Sequence, residues 1–197
     1  MPPNAHDGTR RGRVRDEDKR AAIVRAALGI VEEGGLGALT MEAIAGRSGV
    51  SKATVYKWWD HRAAVALEGL LDELDPALRW PDSGDFAADL ARQVSVLTAA
   101  LTGPRGQVFR AVIGAGQADD RVRRAFVEGF IEPRRADARA AFERARDRGQ
   151  LGDVDTDVAI DLVYGPLYYR LLVGHRPLDQ TFVADLVAAA LQGISAR

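Results

Sequence analysis

The chain contains no cysteine, and that absence alone removes two kinds of chemistry. Disulfide frameworks and thiolate metal centres are both excluded. Histidine is nearly as scarce: His6, His61 and His175 stand far apart, without the spacing of a metal-ligand set. No run approaches the roughly 18 consecutive apolar residues that a membrane-spanning helix needs. The N-terminus, MPPNAHDGTRRGRVRDEDKR, has arginines but no apolar stretch behind them, so it does not read as a secretory signal. Neither a glycine-rich phosphate loop nor a nucleophile elbow occurs. The clustered acids, Asp119-Asp120 and Asp153, Asp155 and Asp157, fall at helix starts, where the macrodipole favours them. The expectation is a soluble cytoplasmic protein that is not an enzyme, with no catalytic residues, no metal and no cofactor.

What is present is helical periodicity in nearly every segment. Hydrophobic residues make up 47% of the 197 positions and charged residues 28%, enough to build one compact body or a small module fused to a medium one. Period-two alternation is not sustained anywhere, and β-branched residues are sparse, so the fold class is all-α with about nine helices. Residues 1–15 have almost nothing to bury and read as a flexible basic arm. From Asp16, Ile23, Ala27, Ile30 and Val31 recur at helical spacing until Gly34 and Gly35 end the run. A helix from Arg62 to Asp75 is ended by Pro76. Further on, Gly103 and Pro104 mark a helix boundary, Pro133 should kink or divide a long helix, and Gly165-Pro166 interrupts another. The expected organisation is an arm over 1–15, a small module over 16–62 and a helical body over 63–197.

The charge is unevenly shared. The net charge is −1, yet residues 1–62 hold 11 Lys and Arg against 8 Asp and Glu, while the remainder holds 16 against 20. The basic third contains LGALTMEAIAGRSGVSKATVYKWWDHR, which reads as a helix-turn-helix. Thr40 can cap the first helix, Ala43 and Ile44 face inward, and small Ala45 permits a close crossing. Gly49 sits at the sharp turn, Val50 plugs the angle, Ser51 caps the second helix and Val55 points in. Lys52, Ala53, Thr54, Tyr56 and Lys57 are left on the outer and leading faces. Those types suit a major groove: lysines for phosphates, Thr54 for a base edge and the Ala53 methyl for a thymine methyl. The arm suits a narrow minor groove or phosphates. The candidate DNA-facing set is therefore Arg11, Arg13, Thr40, Ser51, Lys52, Ala53, Thr54, Tyr56, Lys57, His61 and Arg62. Trp58 and Trp59 should divide their duties, one wedged in the small core and the other at its seam. His61 reads equally well as a cap, a phosphate contact or a plain surface residue.

Residues 20–70, with AAIVRAALGIVEEGGLGALTMEAIAGRSGVSKATVYKWW at their centre, resemble the tetracycline-repressor-like (TetR) regulators. More weakly, LTGPRGQVFRAVIGAGQ, FIEPRRADARAAFERARDRGQL and YGPLYYRLLVGHRPLD resemble one subtype of that family's ligand-binding domain. The chain departs from the family's pattern at Asp60, His61 and Arg62, where a Pro or short polar residue followed by Lys is common. The resemblance implies a double-stranded DNA operator as partner, a small apolar or amphipathic effector, and a homodimer formed through the last two helices. Trp80, Phe109, Phe126, Phe130, Tyr164 and Tyr168 are the candidate effector-binding residues, the two tyrosines lying one turn apart beside Gly165-Pro166. In the last helix Phe182, Leu186, Ala189, Ala190 and Ile194 form a stripe that fits either a dimer seam or internal packing. The function expected is a ligand-released repressor on a palindromic operator. The rival reading is an all-helical carrier or protein-interaction module whose basic end is incidental.

Overall fold

The structure, a computed structural model, describes residues 7–74 and 78–195, with side chains for 16–69, 71 and 78–195. Helices are α1 (Asp7–Ala38), α2 (Met41–Ser48), α3 (Lys52–Trp58), α4 (Arg62–Leu74), α5 (Phe86–Ala100), α6 (Gly103–Ala118), α7 (Asp120–Phe126), α8 (Glu132–Asp147), α9 (Thr156–Val173) and α10 (Gln180–Ile194). A π turn over Val127–Ile131 joins α7 to α8 without a break, so the described residues form nine helical rods. The only extended pairing among them is a single bridge between Leu151 and Ser195. The all-α expectation holds. The chain divides into two compact units, Met1–Leu70 and Leu71–Arg197.

In the first unit α1 begins nine residues earlier than the apolar pattern indicated. The irregular arm expected over residues 1–15 is therefore corrected in part: the backbone from Asp7 is helical. Four of the nine added residues are Arg, a good helix former, although Gly8 and Gly12 also lie in this stretch. The side chains of Arg11 and Arg13, like residues 1–6, lie outside the described residues. Gly35, at φ 69° and ψ −178°, breaks the helix in a conformation closed to residues with a Cβ. Ile23, Ala27 and Val31 meet Ile44, Val55, Val65 and Ala66 in a small core. The first half of α4 crosses α1 closely, because a Cβ at Gly69 would stand 2.5 Å from Val24.

The second unit packs α5 against α10, α8 and α9, and α6 against α7 and α9. Two aromatic clusters fill it. Trp80, Phe86 and Phe142 meet with ring centroids 4.9–5.9 Å apart, and Phe109, Phe126 and Phe130 do so at 4.9–6.5 Å. At Pro133, where a kink or division was expected, the rod is interrupted by a π turn just before the proline. Proline has no N–H to donate to the carbonyl four residues back. The backbone takes a π turn instead, with the Glu132 N–H donating to the Val127 carbonyl five residues back. α9 continues through Pro166. No helix among the described residues is long and apolar enough to cross a membrane.

Candidate nucleic-acid interface and effector cavity

Local rules build the helix-turn-helix. The Thr40 hydroxyl accepts the Ala43 N–H at 3.0 Å and starts α2; Gly49, at φ 70°, stops it in the left-handed region. The Ser51 hydroxyl accepts the Thr54 N–H at 3.2 Å and starts α3, and the two hydroxyls bond to each other at 2.8 Å. Val55 is wholly buried, so the opposite face of α3 turns outward. Lys52, Ala53, Tyr56 and Lys57 are exposed there, with Thr54 half-buried beside them. Tyr56 lies on the surface at 45% exposure.

The cations of this face are held by acids. Lys52 forms a short ion pair with Glu42 of α2, which raises the Lys52 pKa and lowers that of Glu42, and its ammonium stands 5.7 Å from the Tyr56 ring centroid. Lys57 faces Asp16 at 3.7 Å and lies 5.4 Å from the Trp58 ring centroid. Trp58 is half-buried at the seam, while Trp59 is in the core. The His61 Nδ1 accepts the Ala63 N–H at 3.1 Å, a cap for α4. Arg62 donates through Nη1 to the Leu39 carbonyl at 2.9 Å, which fastens α4 to the end of α1. Thr40, Ser51, His61 and Arg62 thus all carry structural bonds of their own.

Two long-range clusters had no signature in the sequence. The Glu68 carboxylate of α4 receives the Arg20 guanidinium at 2.6 and 2.7 Å and the Trp59 indole N–H at 2.8 Å, while Arg20 also lies over the Trp59 ring. One carboxylate thereby ties α1, α4 and the end of α3 together. Arg47 of α2 makes a bidentate pair with Glu33 of α1 at 2.6 and 2.7 Å; a Cβ at Gly29 would meet its guanidinium at 2.7 Å. That pairing raises the Arg47 pKa and depresses that of Glu33.

The second unit encloses a cavity of about 260 Å³. Leu78, Leu97, Phe130 and Ile131 give it apolar walls, and Tyr164, Gly165 and Tyr168 bring one side of α9 to it. Of the six residues expected here, Phe130, Tyr164 and Tyr168 line the space. Trp80 stands behind them and donates its indole N–H to the Tyr164 hydroxyl at 3.1 Å. Phe109 and Phe126 are corrected to core residues, packed behind Phe130. Among the wall residues missed, the polar ones are Gln93, Arg134, Arg135 and Asp161, since polar side chains at helical spacing read as solvated faces. Gln93 is buried and donates to the Leu78 carbonyl at 2.8 Å. Arg135 donates to Asp161 and, at 2.9 Å, to Asp157.

A capped helix pair with a left-handed glycine turn and an exposed lysine-bearing second helix defines a helix-turn-helix DNA-binding protein. The model for bacterial regulatory proteins of the tetR family matches residues 23–68, and the tetracyclin repressor-like C-terminal domain matches residues 80–190. The HTH-type transcriptional regulator YdeS of Bacillus subtilis (strain 168) is 39% identical over 189 residues, covering 95% of this chain and 96% of its own. The crystal structure of the TetR family regulator SCO0332 superposes with a TM-score of 0.77 at 38% identity, covering 89% of this chain and 98% of that one. A DNA-binding transcriptional repressor, TetR, of Mycobacteroides abscessus is 27% identical over 176 residues, 88% of this chain and 92% of its own. The chain belongs to the TetR family of DNA-binding transcriptional regulators, which are not enzymes.

Proposed function

We propose that this regulator is a homodimeric repressor that leaves a palindromic operator when a small apolar or amphipathic effector fills the cavity of the second unit. The observation that carries the DNA contact is the outward row on α3. Lys52 and Lys57 suit phosphates, Ala53 and Thr54 suit base edges, and Tyr56 presents a hydroxyl at the surface. Arg11 and Arg13, in the first turns of α1, suit phosphates or a minor groove. Repression is supported by similarity to the Mycobacteroides abscessus repressor. The protein would act on cytoplasmic DNA.

The dimer surface is read from α9. Val158, Leu162, Tyr169, Leu172 and Val173 are 47–60% exposed and recur along one side of that helix. Exposed apolar residues gathered in this way mark an association surface. On α10 the stripe read from the sequence turns mostly inward: Phe182, Ala190 and Ile194 are buried. Exposed Ala184, Ala188 and Ala189 leave its outer side small enough for a close helix approach. Two copies joined there would present two recognition helices to major grooves about 34 Å apart. Effector binding would act by favouring a dimer geometry that no longer matches this spacing.

Selection of duplexes from a random library at two salt concentrations tests the DNA half. A palindrome should emerge, and Lys52→Ala with Lys57→Ala should flatten the salt dependence by about one unit of slope per phosphate lost. No enriched sequence would defeat the reading. Leu162→Asp with Leu172→Asp should give a monomer by size-exclusion chromatography with light scattering; an intact dimer would exclude this seam.

A further inference from the structure

The polar groups around the cavity are unequal in what they have left to offer. Arg135 is held between Asp157 and Asp161, so its charge is answered within the protein. Arg134 lies on the Phe130 ring, 4.2 Å from its centroid, and donates through Nη1 to the Phe130 carbonyl at 3.2 Å. Tyr164 accepts the Trp80 N–H, and Gln93 bonds both Tyr164 and the Leu78 carbonyl. The Tyr168 hydroxyl, on the cavity wall, makes no hydrogen bond to any described residue. Burial holds its pKa well above the ordinary tyrosine value, so it stays a neutral O–H donor at physiological pH. A ligand oxygen opposite it would give that donor a partner inside the cavity.

Building on the effector reading above, we infer that the cavity selects a neutral, mostly apolar molecule carrying one oxygen, and that the Tyr168 hydroxyl reads that oxygen. The apolar walls supply the affinity and the single hydroxyl fixes the orientation, the usual division of labour in small-molecule sites. Arg135 is held by Asp157 and Asp161 and would have to leave them to meet a carboxylate, whereas a phenol or ketone needs no cation. The volume of about 260 Å³ is that of roughly nine waters, so the ligand has on the order of ten non-hydrogen atoms. That size corresponds to one substituted ring or two fused ones.

Calorimetric titration of the full chain with propylbenzene, 4-propylphenol and 4-propylbenzoate tests this. The phenol should bind at least about tenfold more tightly than either of the others, the worth of one good hydrogen bond. Tyr168→Phe should bring the phenol to within about twofold of propylbenzene while leaving propylbenzene unchanged. Leu97→Phe, which fills the cavity, should weaken all binding. Tightest binding by the benzoate, an unchanged phenol affinity in Tyr168→Phe, or no binding by any of the three would overturn the inference. If the benzoate binds and Leu97→Phe abolishes it, the effector cavity stands and only its neutral selectivity falls. If binding persists undiminished in Leu97→Phe, the cavity reading itself falls as well.

Discussion

Replacing Glu68 by Ala removes a carboxylate that three groups share, and its cost can be worked from their exposure. Trp59 is 6% exposed, so its indole N–H loses the Glu68 acceptor in a place water hardly reaches. A buried donor left without a partner costs about 1–3 kcal/mol. The Arg20 side chain is 49% exposed and can return to water, so its share of the loss is at most ~1 kcal/mol. The sum is about 1–4 kcal/mol, or on the order of 10 °C in the melting temperature of a unit of this size. Glu68→Gln keeps an acceptor for Trp59 and should cost less than half as much. Tryptophan emission during a urea titration of the full chain measures both variants, because Trp59 lies edge-on to Trp58 at 5.8 Å. Operator affinity should fall in parallel for Glu68→Ala, since Trp59 anchors the end of α3. A Glu68→Ala midpoint equal to wild type would refute the shared-carboxylate account, as would equal losses in the Ala and Gln variants.

Glu42 competes with DNA phosphate for Lys52, so Glu42→Gln should tighten operator binding severalfold at low salt, with the gain shrinking as salt rises. Weaker binding in a fluorescence-anisotropy titration would show that Glu42 orients Lys52 rather than withholding it. Gly106→Ala should destabilise the second unit by at least ~2 kcal/mol, because the new Cβ would lie 2.1 Å from the Leu101 carbonyl oxygen. An unchanged thermal melt would contradict that contact. Five acids should set the acid limit of stability, among them Glu42, whose pKa is lowered by its hydrogen bond from Lys52. Glu33, Asp82 and Asp157 are depressed chiefly by hydrogen bonds from arginine side chains, and Asp119 by the Arg121 backbone N–H. A folded pKa below the unfolded value stabilises the protein above about pH 4, and that contribution fades as pH falls through the folded value. Melting temperature should therefore stay level from pH 7 to about 5 and decline below about pH 4; a level profile down to pH 3 would discount these contacts.

The features legible in the sequence are those decided within a few residues. Thr40, Gly49 and Ser51 announce their caps and turn because capping oxygens and left-handed glycines act on the nearest backbone. The Arg20–Glu68–Trp59 cluster spans 48 residues and exists only because α1 and α4 cross. Periodicity marks that cluster's members as charged surface and aromatic core without joining them. The cavity was half legible for a related reason. An aromatic at helical spacing says that a side chain turns inward, but not whether it meets another side chain or a space. Phe130 borders the space, while Phe109 and Phe126 fill the layer behind it. The apolar stripe of α10 was equally ambiguous, and it is mostly taken up inside its own unit. The exposed row on α9 leaves no distinct pattern in the sequence, because that helix is apolar on nearly every side.

The π turn before Pro133 sets an angle as well as sparing a hydrogen bond. Each residue added to a helical rod turns everything after it by about 100°. The wider loop over Val127–Ile131 is equivalent to a one-residue insertion, placed where Phe126 and Phe130 stack 5.4 Å apart. It works as an angular spacer. Without it, Arg134 and Arg135 would point about a quarter-turn away from the cavity they now border, and Asp157 and Asp161 would lose the guanidinium between them.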